Sequence, residues 1–305
     1  MPAYAPSGHT TTADLANVLP TVIGPAREFV EKKTFLRNFV TQITLKDGDG
    51  SSINLPKFGQ ILQAIALSEN VPISNPQRLI PSTQQFTVGE IGCEVVLTDR
   101  AIRRTPEAMM ARAGRFIGNA MRRKPEDDLI ALFPGFSRDL GAAGSAFSAA
   151  MLARGYSRLM AGSESGQDEP APGPYAAVIQ PFGWYDVLVE AATIGTNTAS
   201  TSAPRVPIPN GLTQELSENY VVKGMYDVPV NLHPRIPIDA SDDAIGAIFS
   251  REALLYIKTS NSMKREQERD IHLRAWDIVV TSEYGTGELE DEFGFAITHD
   301  ATAPA

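Results

Sequence analysis

The sequence predicts an α+β chain in which one long amphipathic helix lies on a sheet. An arm and an extended hairpin precede the helix, a smaller mixed lobe is inserted behind it, and strands return to the first sheet at the end. Three observations carry this reading. Residues 97–136 hold the longest uninterrupted helical pattern in the 305-residue chain. Residues 43–87 hold strand patterns and turn residues but no helix, and residues 271–297 resume strand periodicity after a stretch of short alternating helices and strands.

Residues 1–42 read as an N-terminal arm. Positions 1 to 25 are rich in Pro, Thr, Ala and Gly with little periodicity, a composition that buries too little apolar surface to order itself alone. Ala26, Phe29, Val30, Phe35, Phe39 and Val40 then supply a short amphipathic element. Residues 43–88 form the extended hairpin, with polar turns at 47–50 and 74–76. A lone two-stranded hairpin is marginal in water and offers open edges, so this one is expected to lie across another subunit. Phe86 and Val88 share one face, whereas Ile91, Cys93, Val95 and Leu97 have the opposite parity, which predicts a β-bulge at Gly89.

In the spine, Thr105 stands at the N-cap, Pro106 at the first helical position and Glu107 against the positive end of the helix dipole. Met109, Ala113, Phe116, Ile117, Ala120 and Met121 recur at steps of three and four and make the buried face. Arg112, Arg115, Arg122, Arg123 and Lys124 fall largely elsewhere. Pro125 predicts a kink. Glu126, Asp127 and Asp128, followed by Leu129, Ile130, Leu132 and Phe133, restart the pattern until Pro134 and Gly135 stop it. A kinked rod of about 28 residues is roughly 40 Å long.

Behind the spine, residues 141–145 read as a flexible link. Phe147, Met151, Leu152, Leu159 and Met160 mark a helix, followed by a polar loop over 162–174 and a strand over 175–179. Trp184, Leu188 and Val189 lie on a helix begun through Pro181 and Gly183. Residues 196–210 are turn-rich, 220–230 form a strand broken at Gly224, 244–249 an apolar strand, and 251–257 a short helix after Ser250. The run 264–270 is almost wholly charged, and 271–280 and 293–297 read as long antiparallel strands joined through 284–291.

Composition narrows the function classes. The chain is 43% apolar, enough for a substantial core, yet its longest apolar run, 61–67, is too short to span a membrane. The start of the chain lacks the pattern of a signal peptide, and the single cysteine, Cys93, suits a reducing cytoplasm. A net charge of −9 and a pI near 5.0 argue against a protein that grips phosphate. The four histidines, His9, His233, His272 and His299, have no metal-ligand spacing. Residues 162–166 are superficially similar to a hydrolase nucleophile elbow, but Glu164 stands where the serine belongs. There is no phosphate-cradling loop ending in Lys-Ser or Lys-Thr, and Gly285-Thr286-Gly287 reads as a turn. Neither a catalytic constellation nor a cofactor or metal site is expected.

Three stretches resemble the major capsid proteins of tailed bacteriophages, the Hong Kong 97-type fold shared with encapsulins and herpesvirus capsid floors. They are Val95, Val96, Leu97, Thr98 and Asp99 running into the spine; Gly173, Pro174, Tyr175, Ala176, Ala177, Val178, Ile179, Gln180 and Pro181; and Arg269, Asp270, Ile271, His272, Leu273, Arg274, Ala275, Trp276 and Asp277, continuing to Tyr284 and Gly285. The likeness covers residues 25 to 300, and its specificity lies in the order of the parts. It implies an N-terminal arm (1–42), an extended loop strapping a neighbour (43–88), a peripheral domain with the spine helix (89–139 and 244–305) and an inserted axial domain (140–243).

The resemblance also implies a structural protein, not an enzyme. It would self-assemble into hexamers and pentamers of an icosahedral shell that encloses double-stranded DNA without sequence-specific binding, and an acidic lining that repels DNA modestly is compatible with that role. Assembly would take place in the host cytoplasm and the product would be the virion capsid. Its partners would be copies of itself, a portal, a separate scaffolding protein and decoration proteins. Some members carry a Lys–Asn cross-link, for which Lys46 and Lys57 lie in the right segment. An encapsulin-like compartment shares the fold and differs in contents. An α+β enzyme with an unrecognised site would instead elute as a small species.

Candidate inter-subunit contacts are Lys46, Asp47, Asp49 and Lys57 in the hairpin, Arg103 and Arg104 before the spine, Arg122 and Arg123 on it, and Lys264, Arg265, Glu266, Glu268 and Arg269 in the charged run. Interfacial charges fix register, because wrong juxtapositions cost more than right ones gain. The alternative for each is a solvated helix face or hairpin edge.

Overall fold

The structure, a computed structural model, describes residues 35–46, 48, 50–58, 66, 81–104, 109–162, 170–193 and 228–304. The arm before residue 35, the hairpin turn at 74–76, the spine N-cap at 105–107, the span 196–210 and the break at Gly224 lie outside the described residues.

Four strands make the first sheet. β1 (Thr41–Leu45) runs parallel to β9 (Leu254–Asp270), β9 pairs antiparallel with β10 (Ala275–Glu288), and β10 pairs antiparallel with β4 (Gly89–Thr98). On one face of this sheet Leu97, Ile278 and Val280 close over Ile117 and Met121 of the spine helix α2 (Met109–Ile130), with Ile91, Cys93 and Val95 at the margin. Phe116, expected on the buried face, is 59% exposed. Neighbouring helical positions point about 100° apart, so Ile117 and Phe116 cannot both face the sheet. A short helix α1 (Asp99–Arg104) precedes α2, which continues through Pro125 to Ile130.

The hairpin is shorter than expected. Its strands are β2 (Ser52–Phe58) and β3 (Pro81–Thr87), paired antiparallel, whereas Thr41–Leu45 belongs to the first sheet. The parity change near Gly89 is not a bulge. The chain leaves one sheet at Val88 and joins another, with Gly89 opposite Tyr284, and two sheets need share no alternation. The register irregularity lies instead in β9, where residues 259–262 stand opposite Glu283 alone.

Two more expectations are overturned. The helix expected at 251–257 is the start of β9. Leu254, Leu255, Tyr256 and Ile257 are all buried, and a strand covered on both faces loses the alternation that distinguishes it from a helix. The strand expected from Ile271 starts at Ala275, after a turn closed by Arg274 at φ 49°.

The second sheet has the order β5-β11-β8-β6-β7. Its strands are β5 (Asp139–Gly141), β6 (Tyr175–Ile179), β7 (Val230–Leu232), β8 (Asp243–Ser250) and β11 (Gly294–Asp300). Helices α3 (Ala149–Ala161) and α4 (Pro181–Thr193) bury Leu152, Leu159, Trp184 and Val187 in one cluster with Ile179, Ile248 and Ile297. β10 and β11 therefore lie in different sheets and do not pair, contrary to expectation. β8 and β11 share hydrogen bonds with β6 and β5, so a boundary at 243/244 runs through this sheet. The expected flexible link is held at its start by the pairing of Gly141 with Thr298 and at its end by two hydrogen bonds. The Gly144 N–H donates to Asp243 Oδ1 at 2.6 Å, and the Asp300 N–H to the Ser145 carbonyl at 2.8 Å.

Candidate assembly interface

The acidic triplet of the spine is where the parts of the molecule meet. Its three carboxylates follow one another on a helix, so they point in different directions and each reaches a different segment. Glu126 is 1% exposed and accepts the Leu36 N–H at 2.9 Å, drawing the chain just before β1 against the spine. Its other oxygen meets His233 Nε2 at 3.1 Å. The Arg235 N–H donates to His233 Nδ1, so the ring nitrogen facing Glu126 carries the hydrogen and donates it. Asp127 takes a two-pronged ion pair from Arg235, and Asp128 accepts from the Tyr284 hydroxyl of β10 and pairs with Lys124. Burial, and then the bond to Asp128, hold the Tyr284 hydroxyl above its ordinary pKa.

Around this knot, the one-turn 3-10 helix Leu36–Phe39 is pinned from both sides. Leu36 and Val40 are fully buried, Phe35 lies 5.4 Å from the His233 ring, and the Arg37 guanidinium stacks 5.2 Å over Tyr256 while donating to the Arg122 carbonyl at 2.7 Å. The chain just ahead of β1 is thus anchored to spine, first sheet and inserted lobe at once.

The hairpin has its own anchors. Lys57 of β2 pairs with Glu290, Gln84 of β3 donates to the Glu288 carbonyl at 2.8 Å, and the Phe86 ring lies over Gly287. Gly285 lies so near the crossing that a Cβ there would sit 2.6 Å from the Thr87 carbonyl oxygen.

The residues singled out from sequence fall into different surroundings. Lys46 and Lys264 line a cleft of about 550 Å³ with Glu90, Thr259 and Glu283. Asp47, Asp49 and the Arg104 side chain lie outside the described residues. Arg103 and Arg122 are exposed, and Arg123 is half-buried. Lys264, Arg265, Glu266 and Glu268 stand exposed along β9 beyond the end of β1, while Arg269 pairs with Asp99 at 3.1 Å and stacks on Trp276. Exposed pairs of this kind contribute about 0–1 kcal/mol to the fold. Exposed apolar groups accompany them: Ile271 at 79% and Leu273 in the turn between β9 and β10, Phe116 on the spine, and Phe182, Tyr185 and Val189 along one side of α4. Sequence reading missed Glu126, His233 and Arg235, since partners more than 100 positions apart leave no spacing signal.

His299 gives the second sheet a pH signature. It is wholly buried against Phe147, its Nδ1–H donates to the Ile297 carbonyl at 3.2 Å, and Nε2 has no partner. Burial holds the ring neutral and its pKa below 6.5, although Asp186, Asp300 and Asp243 pull the other way. An unfolded chain takes up that proton near pH 6.5 and the folded one does not. This contribution to stability is therefore present above pH 6.5 and lost as pH falls. Thermal melts should show a falling limb below that pH, shallower in His299→Asn; equal slopes would count against it.

Among the described residues no group of three or more His, Cys, Asp and Glu could hold a metal ion, and no helix is long and apolar enough to cross a membrane. The arrangement offers surfaces and tethers.

No family model matches the sequence, and no curated protein does. Solved structures match along nearly the whole chain. The head structure of Helicobacter pylori bacteriophage KHP40 aligns with a TM-score of 0.67 at 10% identity, covering 96% of this chain and 98% of that one. The capsid of cyanophage P-SCSP1u aligns at 0.65 with 15% identity, covering 98% and 97%. The mature capsid of bacteriophage PhiM1 aligns at 0.64 with 12% identity, covering 94% and 93%. The chain has the fold of these phage capsid structures.

Proposed function

We propose that this chain is the major capsid protein of a tailed bacteriophage, a Hong Kong 97-type subunit that assembles into hexamers and pentamers of an icosahedral shell around double-stranded DNA. The observation that carries the reading is the two-way coverage of at least 93% for three phage capsid structures. The subdivision into arm (1–42), strap (43–88), peripheral domain (89–139 and 244–305) and axial domain (140–243) belongs to the proposal. On this subdivision the peripheral range contributes β8 and β11 to the second sheet, where β8 pairs with β6 of the axial range.

The mechanism is assembly. Exposed apolar groups such as Ile271, Phe116 and Tyr185, and the charges along β9, are suited to many modest contacts between copies, each weak alone and sufficient in number. The charged residues Lys46, Asp47, Asp49, Lys57, Arg103, Arg104, Arg122, Arg123, Lys264, Arg265, Glu266, Glu268 and Arg269 remain the candidates for setting register. A portal, scaffold and decoration proteins complete the proposed partners, and the virion is the proposed location.

Negative-stain microscopy of the expressed chain tests this directly, with particles or capsomer rings expected and a monodisperse small species refuting it. Shells purified from infected cells should contain dense DNA; shells filled with protein cargo would move the reading to an encapsulin-like compartment. Deleting residues 59–80 beyond the described hairpin strands, with a short turn in their place, should leave a subunit with unchanged circular dichroism that no longer forms particles. Unimpaired shells would refute the strap.

A further inference from the structure

We propose that β4 pairs along its outer edge with β4 of a second copy of this chain, antiparallel across a two-fold axis at Cys93, so that two four-stranded sheets become one. The inference deepens the assembly reading and rests on it for its setting, the local two-folds between capsomers of a closed shell.

The open edges of the first sheet differ in kind. Beyond the end of β1, β9 offers residues 263–270, exposed throughout from 263 to 269. When one edge meets its own copy across a two-fold, residues of the same parity stand opposite each other, since neighbouring residues turn their N–H and C=O groups to opposite sides. On β9 every such register centred from 264 to 269 sets like charges face to face. With Gln267 on the axis, for example, Arg265 faces the copy's Arg269 and Glu266 the copy's Glu268. Like charges directly opposite are destabilising, so this edge is guarded against itself.

The β4 edge is not. It runs from Gly89 to Thr98 at the end of the strand order, and among the described residues no strand pairs with its outer side. Its only charges are Glu90 and Glu94. Registers centred on 90, 92 or 94 oppose two carboxylates. Of the rest, the one centred on Cys93 is the longest, from Gly89 to Leu97. It sets Ile91 against the copy's Val95, Cys93 against its own copy, and Glu94 against the copy's Gly92, which leaves the carboxylate room.

The packing beneath the strand agrees. Ile91, Cys93 and Val95 lie partly buried at the margin of the cluster that joins β4 and β10 to α2. In the Cys93 register these three become the facing row, and the clusters of the two copies run together. Because α2 packs on both β4 and β10, the two spine helices stand about two strand spacings, roughly 10 Å, apart on one face, a distance at which helices pack.

Gly92 is the position to test. A Cβ there meets Thr281 Cγ2 at 3.6 Å and the Val280 carbonyl oxygen at 3.9 Å, both ordinary contacts, so the subunit accepts a side chain. Gly92→Glu creates two facing carboxylate pairs in each contact and should raise the concentration needed for assembly roughly tenfold. Gly92→Lys creates two opposite-charge pairs instead and should assemble at least as readily as the wild type, with the same circular dichroism in both variants. Equal behaviour of the two variants would overturn the proposal. The wild type gives a second test without substitution. Facing Cα atoms are about 4.5–5.5 Å apart, within disulfide range, so the small oxidant diamide should link the chains of purified particles in pairs through Cys93. Particles whose chains stay single on a non-reducing gel would overturn the pairing while leaving the shell intact. A small species by microscopy would refute the shell; in that species Cys93-linked dimers would uphold the pairing and their absence would sink it.

Discussion

Glu126→Ala is expected to destabilise the subunit by about 2–5 kcal/mol, the cost of leaving two buried donors without their acceptor. The carboxylate is 1% exposed and serves two donors at once, the Leu36 N–H and His233 Nε2–H. Without it both are stranded among Leu36, Val40, Ile236 and Leu129, all buried, and water cannot reach them cheaply. Glu126→Gln keeps one acceptor oxygen and should lose about 1–2 kcal/mol. Urea unfolding followed by fluorescence measures both, with the midpoint moving and the slope unchanged if the effect is on stability alone. A loss below about 1 kcal/mol for alanine would mean that the junction relaxes and that Glu126 is not its keystone. Because the knot joins the pre-β1 turn to the spine, exchange at Leu36 should rise before that of β10.

Gly141→Ala is the second large effect. Gly141 ends β5 at φ +86°, and a Cβ there would stand 2.2 Å from the Thr298 backbone oxygen of β11. The substitution meets a backbone conformation unfavourable for alanine and a neighbour that cannot rotate aside, so a loss of about 2–4 kcal/mol is expected. Gly144→Ala is its control: φ is +69° but the space is open, so only the conformational part, about 1 kcal/mol, should appear. Thermal melts of the two variants should differ clearly. Equal shifts would mean that the β5–β11 contact yields.

Much of the framework was legible from sequence because its signals are local. The spine, α3, β6 and α4 announce themselves through periodicity, and the turn-rich stretch before Gly89 announces a hairpin. The misreadings share one cause, which is that pairing partners are non-local. Leu254–Ile257 has no alternation because both faces are covered, Leu254 and Tyr256 packing in one cluster and Leu255 and Ile257 in another, and nothing in residues 251–257 reveals those neighbours. The parity flip at Gly89 was visible, but a change of sheet and an inserted residue leave the same trace. Glu126 looked like the polar restart of a helix; only folding brings His233 to it. The charged run lies along β9 beyond the end of β1, and Arg269 has its partner in Asp99 across the chain.

The second sheet is completed by its last strand in sequence: β11 lies between β5 and β8 and brings Phe295, Ala296 and Ile297, each at most 2% exposed, to both faces. During synthesis β5, β6, β7 and β8 leave the ribosome first, yet they have a gap in their middle until residue 300 emerges. A nascent or prematurely ended chain keeps β5 and β8 apart and cannot present a finished surface. Any chain that stops short of residue 294 is thereby marked as unfinished within its own second sheet.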